Sequence, residues 1–284
     1  MSRIRVSAIS YLNTAPLMWN FEHGPNVVDF RRNFEIDYTI PSRCAQMLAE
    51  GSADIGIIPV AAYTTIPGLR VIPDVAIASR GAVRSILLIS LRPLNEIRSV
   101  ALDSSSRTSA ALIQVLLQMQ NREVRFASAE PNLDRMLEKY DAALLIGDPA
   151  LQVDRTRYQT LDLAEEWRNL TGKPFVFAFW AIREDTAAEE ELSRVADMFR
   201  ESRDEGLNHI HEIANEWSSR LSISPAAVRR YLTESIHYYL DRDSVSGMKL
   251  FFELAASYGV LPPAPELRLV PELTFRNSTH PSRV

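Results

Sequence analysis

The chain has 284 residues, 46% of them hydrophobic and 24% charged, with a formal net charge of −5. That length supports one large or two modest domains with a core that needs no disulfide or metal, and the single cysteine, Cys44, excludes an internal disulfide or a cysteine-based metal site. The mildly acidic balance excludes general nucleic-acid binding, which requires a basic face.

Residues 4–9 read as a short buried strand, entered from Met1-Ser2-Arg3 without the apolar stretch of an export signal. A polar turn ending in Pro16 follows (SYLNTAPL, 10–17), as where a strand runs into a helix with free backbone N–H groups. Residues 34–40 alternate apolar and polar side chains, as a half-buried strand does. Ser42 is expected to cap a helix that Gly51 closes, with Ala45 and Leu48 on its inner face. Apolar strands are expected at 53–60, 71–79 and 83–90.

The pattern then restarts. A strand at 99–102 leads through a polar turn (DSSSRTS, 103–109) into a helix at 110–119, with Leu112, Val115, Leu116 and Met119 at helical spacing. A strand at 123–126, a helix at 133–139 and buried strands at 141–146 and 175–182 follow. Helical stretches are expected at 186–217, 225–239 and 245–258, then an extended tail with Pro262, Pro263, Pro265 and Pro271. No apolar run approaches the roughly 18–20 residues a membrane span needs; the chain is expected to work in the cytoplasm, as a monomer or homodimer.

Strands alternating with helices predict an α/β fold with mostly parallel sheets. One strand-rich lobe inserted into another, with a helical return, is the plan of periplasmic-binding-protein-like type II folds. The expected division is 1–91 plus 181–284 for the first lobe and 92–180 for the second. Two crossovers, near 90–93 and 179–182, would join them. Ligands of such folds sit in the cleft between lobes, at helix N-termini and strand ends.

Four segments carry the candidate chemistry. Ser105, Ser106, Arg107 and Thr108 open a helix, where hydroxyls, backbone N–H groups and the helix dipole favour an anion and an arginine adds a charged fork; the alternative is a capped helix with a solvated arginine. Ser10, Tyr11, Asn13 and Thr14 occupy the equivalent point of the first lobe and would face them; the alternative is an Asn/Thr turn with Tyr11 packed inside. Gly147 allows close backbone approach, and Asp148 reads either as a helix cap with Pro149 behind it or as a polar cleft residue. Arg84 and Ser85 point to opposite faces if they lie in a strand, so one of them lines the cleft; for Arg84 the alternative is a surface salt bridge. His209 and His211 are two apart and do not make a metal pair, and His237 reads as helix packing.

The motifs SYLNTAPL (10–17), ADIGIIPV (53–60), SSSRT (104–108) and AALLIGDPA (142–150), in that order, resemble the menaquinone-biosynthesis family of the futalosine route. The resemblance covers most of residues 3–183. The Tyr11-Leu12-Asn13-Thr14 turn resembles the chorismate dehydratase branch; the sibling 1,4-dihydroxy-6-naphthoate synthases carry a cysteine-containing turn there. The resemblance implies a cofactor-free, metal-free loss of water from chorismate, a small dicarboxylate, to give 3-[(1-carboxyvinyl)oxy]benzoate. On that reading Ser105, Ser106, Arg107 and Thr108 hold a carboxylate. Asn13 and Ser10 orient the leaving hydroxyl, with Ser85 beside them. Tyr11, Thr14, Arg84, Gly147 and Asp148 complete the binding site. The proton acceptor is left open between Asp148 and the substrate's own second carboxylate. A non-enzymatic binding protein or sensor for a small carboxylate is the alternative from another class, and the sibling 1,4-dihydroxy-6-naphthoate synthase is the alternative within the enzyme class.

Overall fold

A computed structural model describes residues 3–270. In chain order the elements are β1 (Ile4–Ile9), α1 (Trp19–Glu22), α2 (Val27–Asn33), β2 (Phe34–Thr39), α3 (Pro41–Glu50), β3 (Ile55–Pro59), β4 (Leu69–Ser79) and β5 (Ile86–Ser90). Next come β6 (Ser99–Asp103), α4 (Arg107–Met119), β7 (Arg125–Ala129), α5 (Leu133–Lys139), β8 (Ala142–Ile146), α6 (Gly147–Leu151), β9 (Gln159–Asp162), α7 (Leu163–Thr171) and β10 (Phe175–Arg183). The chain returns through α8 (Glu189–Asn208), α9 (Ile210–Leu221), α10 (Pro225–Arg230) and α11 (Arg242–Ser257).

The strands form two five-stranded sheets, in the orders β2-β1-β3-β10-β4 and β7-β6-β8-β5-β9. Each has the same logic. Three strands run parallel, β2-β1-β3 in one and β7-β6-β8 in the other. The fourth is antiparallel to both of its neighbours: β10 between β3 and β4, β5 between β8 and β9. The two antiparallel strands are exchanged between the halves of the chain. The division expected at 91/92 and 180/181 therefore differs from the sheets: β5 pairs in the second sheet and the whole of β10, from Phe175 on, in the first. The crossings lie before Ile86 and after Thr171.

The cause is physical. Both exchanged strands are buried along nearly their whole length, so their composition signals burial on both faces without naming a partner sheet. The Asp162 carboxylate fixes the first crossing by accepting the backbone N–H groups of Val83 (3.1 Å) and Arg84 (2.6 Å). This draws the chain toward β9 before β5 begins.

Several local expectations shift. Ile40, not Ser42, is the cap position of α3, because Pro41 takes the first helical turn and needs no N–H partner. Gly51 ends that helix with a left-handed φ of 72°. The stretch expected at 186–217 is two helices, parted at His209. That expected at 225–239 is α10 followed by a π-helical turn, Tyr231–Ser235, and then extended chain whose His237 bridges to Ala78. The tail reaches β4 through Leu269 and Val71; Pro271 lies outside the described residues.

Both turns that face the interlobe cleft are anchored on the core. The first, residues 12–18, forms a 3-10 helix against α8. A Cβ at Gly206 on α8 would stand 1.9 Å from the Pro16 carbonyl oxygen, so only glycine lets the helix approach. The second turn is organised by Asp103, buried at the end of β6. Its carboxylate accepts Ser105 N (2.9 Å), Ser105 Oγ (2.6 Å) and Ile146 N (3.3 Å). Among the described residues no helix is long and apolar enough to cross a membrane.

Candidate active site between the two sheets

A pocket of about 40 Å³ lies where the ends of both sheets meet. That is room for a few water molecules, so the molecule stands with its lobes closed. Polar groups on its wall come from both halves: Tyr11 and Asn13 from the first turn, Ser85 from the crossing, Ser106, Thr108 and Ser109 from the start of α4, and Gly147 after β8. Ile9, Ile77, Ile146 and Phe177 supply apolar wall. No carboxylate, imidazole, amine or guanidinium is part of the lining.

The start of α4 is built for an anion. Ser106 caps the helix, its Oγ accepting Ser109 N at 3.2 Å and lying 2.9 Å from Ser109 Oγ. Ser106 and Ser109 thus present a pair of hydroxyls above a thirteen-residue helix whose dipole points its positive end at the pocket.

Hydrogen bonds close the lobes on each other. Thr108 Oγ1 accepts the Ala61 N–H (3.2 Å), and Ser42 N donates to the Ser105 carbonyl (3.1 Å). Leu12 N donates to Asp148 Oδ1 at 3.0 Å. The Tyr11 hydroxyl shares a hydrogen bond with the Ser105 side chain, and burial raises its pKa. The Tyr11 ring lies against Gly147, whose φ is +62°; a Cβ there would sit 2.7 Å from Tyr11 Cδ2. Burial, opposed by the Leu12 N–H, pushes the Asp148 carboxyl up to about 6. Burial likewise raises Asp103, against the stabilising Ser105 hydroxyl and N–H.

Six of the residues singled out from sequence line the pocket: Tyr11, Asn13, Ser85, Ser106, Thr108 and Gly147. The others lie outside its wall. Ser10 is exposed, with its hydroxyl on the Thr39 carbonyl at 3.4 Å. Thr14 is buried and donates to Asn13 Oδ1 (3.4 Å). Ser105 is turned to Asp103, and Asp148 is spent on Leu12. Arg107 projects into solvent from the first turn of α4. Arg84 stands at φ +65° and faces another cavity, while its neighbour Ser85 faces this one.

Sequence reasoning missed two groups. Ser109 carried a signal, since it lies three residues after Ser106 and hence on the same helix face. Tyr231 carried none. It is buried in the π-helical turn, and its hydroxyl donates to Ser85 Oγ at 2.8 Å across 146 positions of sequence while also bonding the Asn13 side chain. A π turn at such a point re-aims one side chain out of helical register.

A model of the family described as menaquinone biosynthesis matches residues 4–257. The chain belongs to that family. The chorismate dehydratase of Thermus thermophilus is 30% identical over 263 residues, covering 86% of this chain and 92% of the relative. That of Campylobacter jejuni is 25% identical over 248 residues, covering 86% and 93%. These two relatives place the chain with the chorismate dehydratases of the family. The fold is similar to that of protein AF1704 from Archaeoglobus fulgidus (TM-score 0.71, 18% identity, 91% of this chain and 98% of that one). It is also similar to the periplasmic aliphatic sulphonate binding protein SsuA of Escherichia coli (TM-score 0.66, 11% identity, 95% and 98%). The family member is therefore an α/β protein of the periplasmic-binding-protein-like type.

Proposed function

We propose that the chain dehydrates chorismate in menaquinone biosynthesis, in the cytoplasm, and that the pocket contributes binding, orientation and charge stabilisation while the substrate supplies the base. The observation that carries this reading is the lining: hydroxyls, one amide and a helix N-terminus from both lobes, with no basic side chain. Such a wall offers neutral donors to a carboxylate and no side chain to take up a proton.

The chemistry is an elimination. A ring C–H electron pair moves into the ring as the proton leaves, and the ring carboxylate accepts the delocalised charge. The neighbouring C–OH bond then breaks, water departs and the ring becomes aromatic. Ser106, Ser109 and the N-terminus of α4 bind the ring carboxylate and stabilise that charge, as an oxyanion site does. Asn13 and Ser85 orient the departing hydroxyl. Tyr231 holds both of these side chains in place. The substrate's second carboxylate takes the ring proton and hands a proton on to the departing hydroxyl, which leaves as water. Thr108, Tyr11 and Gly147 serve the closed form, in which water is excluded and the reacting groups are fixed. A pocket of about 40 Å³ cannot admit chorismate without lobe opening.

Asp148 supports a second reading of the base, because its carboxyl titrates near 6 and it adjoins Gly147 on the wall. Purified protein incubated with chorismate and no added cofactor, followed by mass spectrometry, tests the function. A catalytic product lighter by one water is expected. Unchanged chorismate with demonstrable binding would instead favour a carboxylate-binding protein.

A further inference from the structure

A second cavity, of about 310 Å³, opens beside Arg84, Arg155 and Arg230. It brings together the crossing before β5, the loop after α6 and the helix α10, three segments far apart in sequence. Leu151, Val153, Ile223 and Val228 form an apolar wall. Tyr231 carries its ring on this cavity and its hydroxyl on Ser85.

Its cations are only partly paired. The guanidinium groups of Arg84 and Arg230 have no hydrogen bond or ion pair among the described residues. Arg155 is held in place by donating from Nη2 to the Arg84 carbonyl at 2.8 Å. Burial and then the nearby Arg84 charge lower the pKa of Arg155, while Asp162 and Glu165 act the other way. The Asp162 carboxylate is already engaged with backbone N–H groups of the crossing. The one carboxylate on the wall, Asp154, is turned to Thr156, accepting its N–H (3.0 Å) and its hydroxyl (2.6 Å). The repulsion between Arg84 and Arg155 is one that a bound anion relieves, and the exposed Arg230 on the facing helix can reach the same anion. Arg84 also keeps a left-handed backbone (φ +65°), held there by the Asp162 carboxylate on its N–H.

We propose that this cleft is a separate binding site for a small apolar organic anion. A carboxylate or phosphate group would lie on the three arginines, where planar forks give paired hydrogen bonds. The hydrocarbon body would lie on the Leu151–Val153–Ile223–Val228 wall. The site goes beyond the dehydration chemistry; the calorimetry does not depend on that reading, and only the comparison with chorismate KM rests on it.

The test is calorimetric titration of the full chain with two probes, sodium benzoate and inorganic phosphate. The wild type is compared with Arg155→Gln/Arg230→Gln and with Ala227→Glu. Ala227→Glu puts a carboxylate on the α10 side of the cleft wall, beside Arg230, where it competes with an anionic ligand. Both variants should weaken benzoate binding by about tenfold or more while the KM for chorismate stays within about twofold. Benzoate affinity unchanged in both variants would overturn the proposal, since the probe would then sit elsewhere. A chorismate KM that rises in step with the benzoate Kd would also overturn it, by making the cleft an entrance to the catalytic pocket. Binding of phosphate but not benzoate would overturn it, since the apolar wall would then take no part. Failure of both probes to bind the wild type would refute it outright.

Discussion

The two turns that meet in the pocket are held in opposite ways. The second, at residues 103–109, organises itself: Asp103 gathers Ser105 and Ile146, and Ser106 caps α4, all within one lobe. The first, at residues 10–14, has no side-chain cap of its own. Leu12 is held by Asp148, Tyr11 by Ser105 and Asn13 by Tyr231, so its functional geometry is set largely from outside. On the proposed mechanism, a self-held turn for the carboxylate and an externally held turn for the hydroxyl suit an enzyme that must admit substrate before aligning it.

The sharpest break of this comparison is at Asn13. Asn13→Ala should lower kcat by roughly 10²–10³-fold, the usual loss of a positioned polar group in a closed site, with unfolding temperature little changed. Steady-state kinetics checks this, and activity near wild type would remove Asn13 from the mechanism. The self-held turn should respond in stability instead. Asp103→Ala strands buried donors and should cost roughly 3 kcal/mol, read as a lower denaturant midpoint.

Tyr231→Phe should act through its partner. Roughly tenfold lower kcat with a KM within about twofold is expected, and little further loss when Ser85→Ala is already present. Additive losses in the double variant would mean that Tyr231 does not work through Ser85. The smallest effect is expected at Asp148. Asp148→Asn keeps an acceptor for Leu12 N, so kcat should stay within about fivefold; a drop of roughly 10²–10⁴-fold would make Asp148 the base.

The same variant has a pH signature. The folded carboxyl titrates near 6, above the roughly 3.9 of an unfolded aspartate. Its contribution to stability is therefore fully present below about pH 4 and is lost as pH rises through about 6. Relative to Asp148→Asn, the wild type should lose stability across that window, which denaturant titrations at several pH values will show.

Most elements of the fold were legible in the chain, and half of the residues singled out from it line the pocket. Period-two and period-3.6 patterns mark strands and helices, because alternation and helical spacing directly report which face is buried. The polar turns before Pro16 and before α4 stood out because small hydroxyl residues at a strand end have few other uses, and Tyr11, Asn13, Ser106 and Thr108 all line the pocket. Arg107 and Ser10 were misplaced because a turn's composition does not say which of its side chains turn inward.

What only tertiary structure decided was partnership. An apolar strand such as β5 or β10 is equally at home in either sheet, and pairing alone assigns it. Tyr231 enters the site across 146 positions through a π turn. Arg84 and Ser85, adjacent in the chain, face different cavities because Asp162 bends the backbone between the sheets. Local sequence records how much of a side chain is buried, while the identity of what buries it comes from contacts between segments that no local pattern encodes.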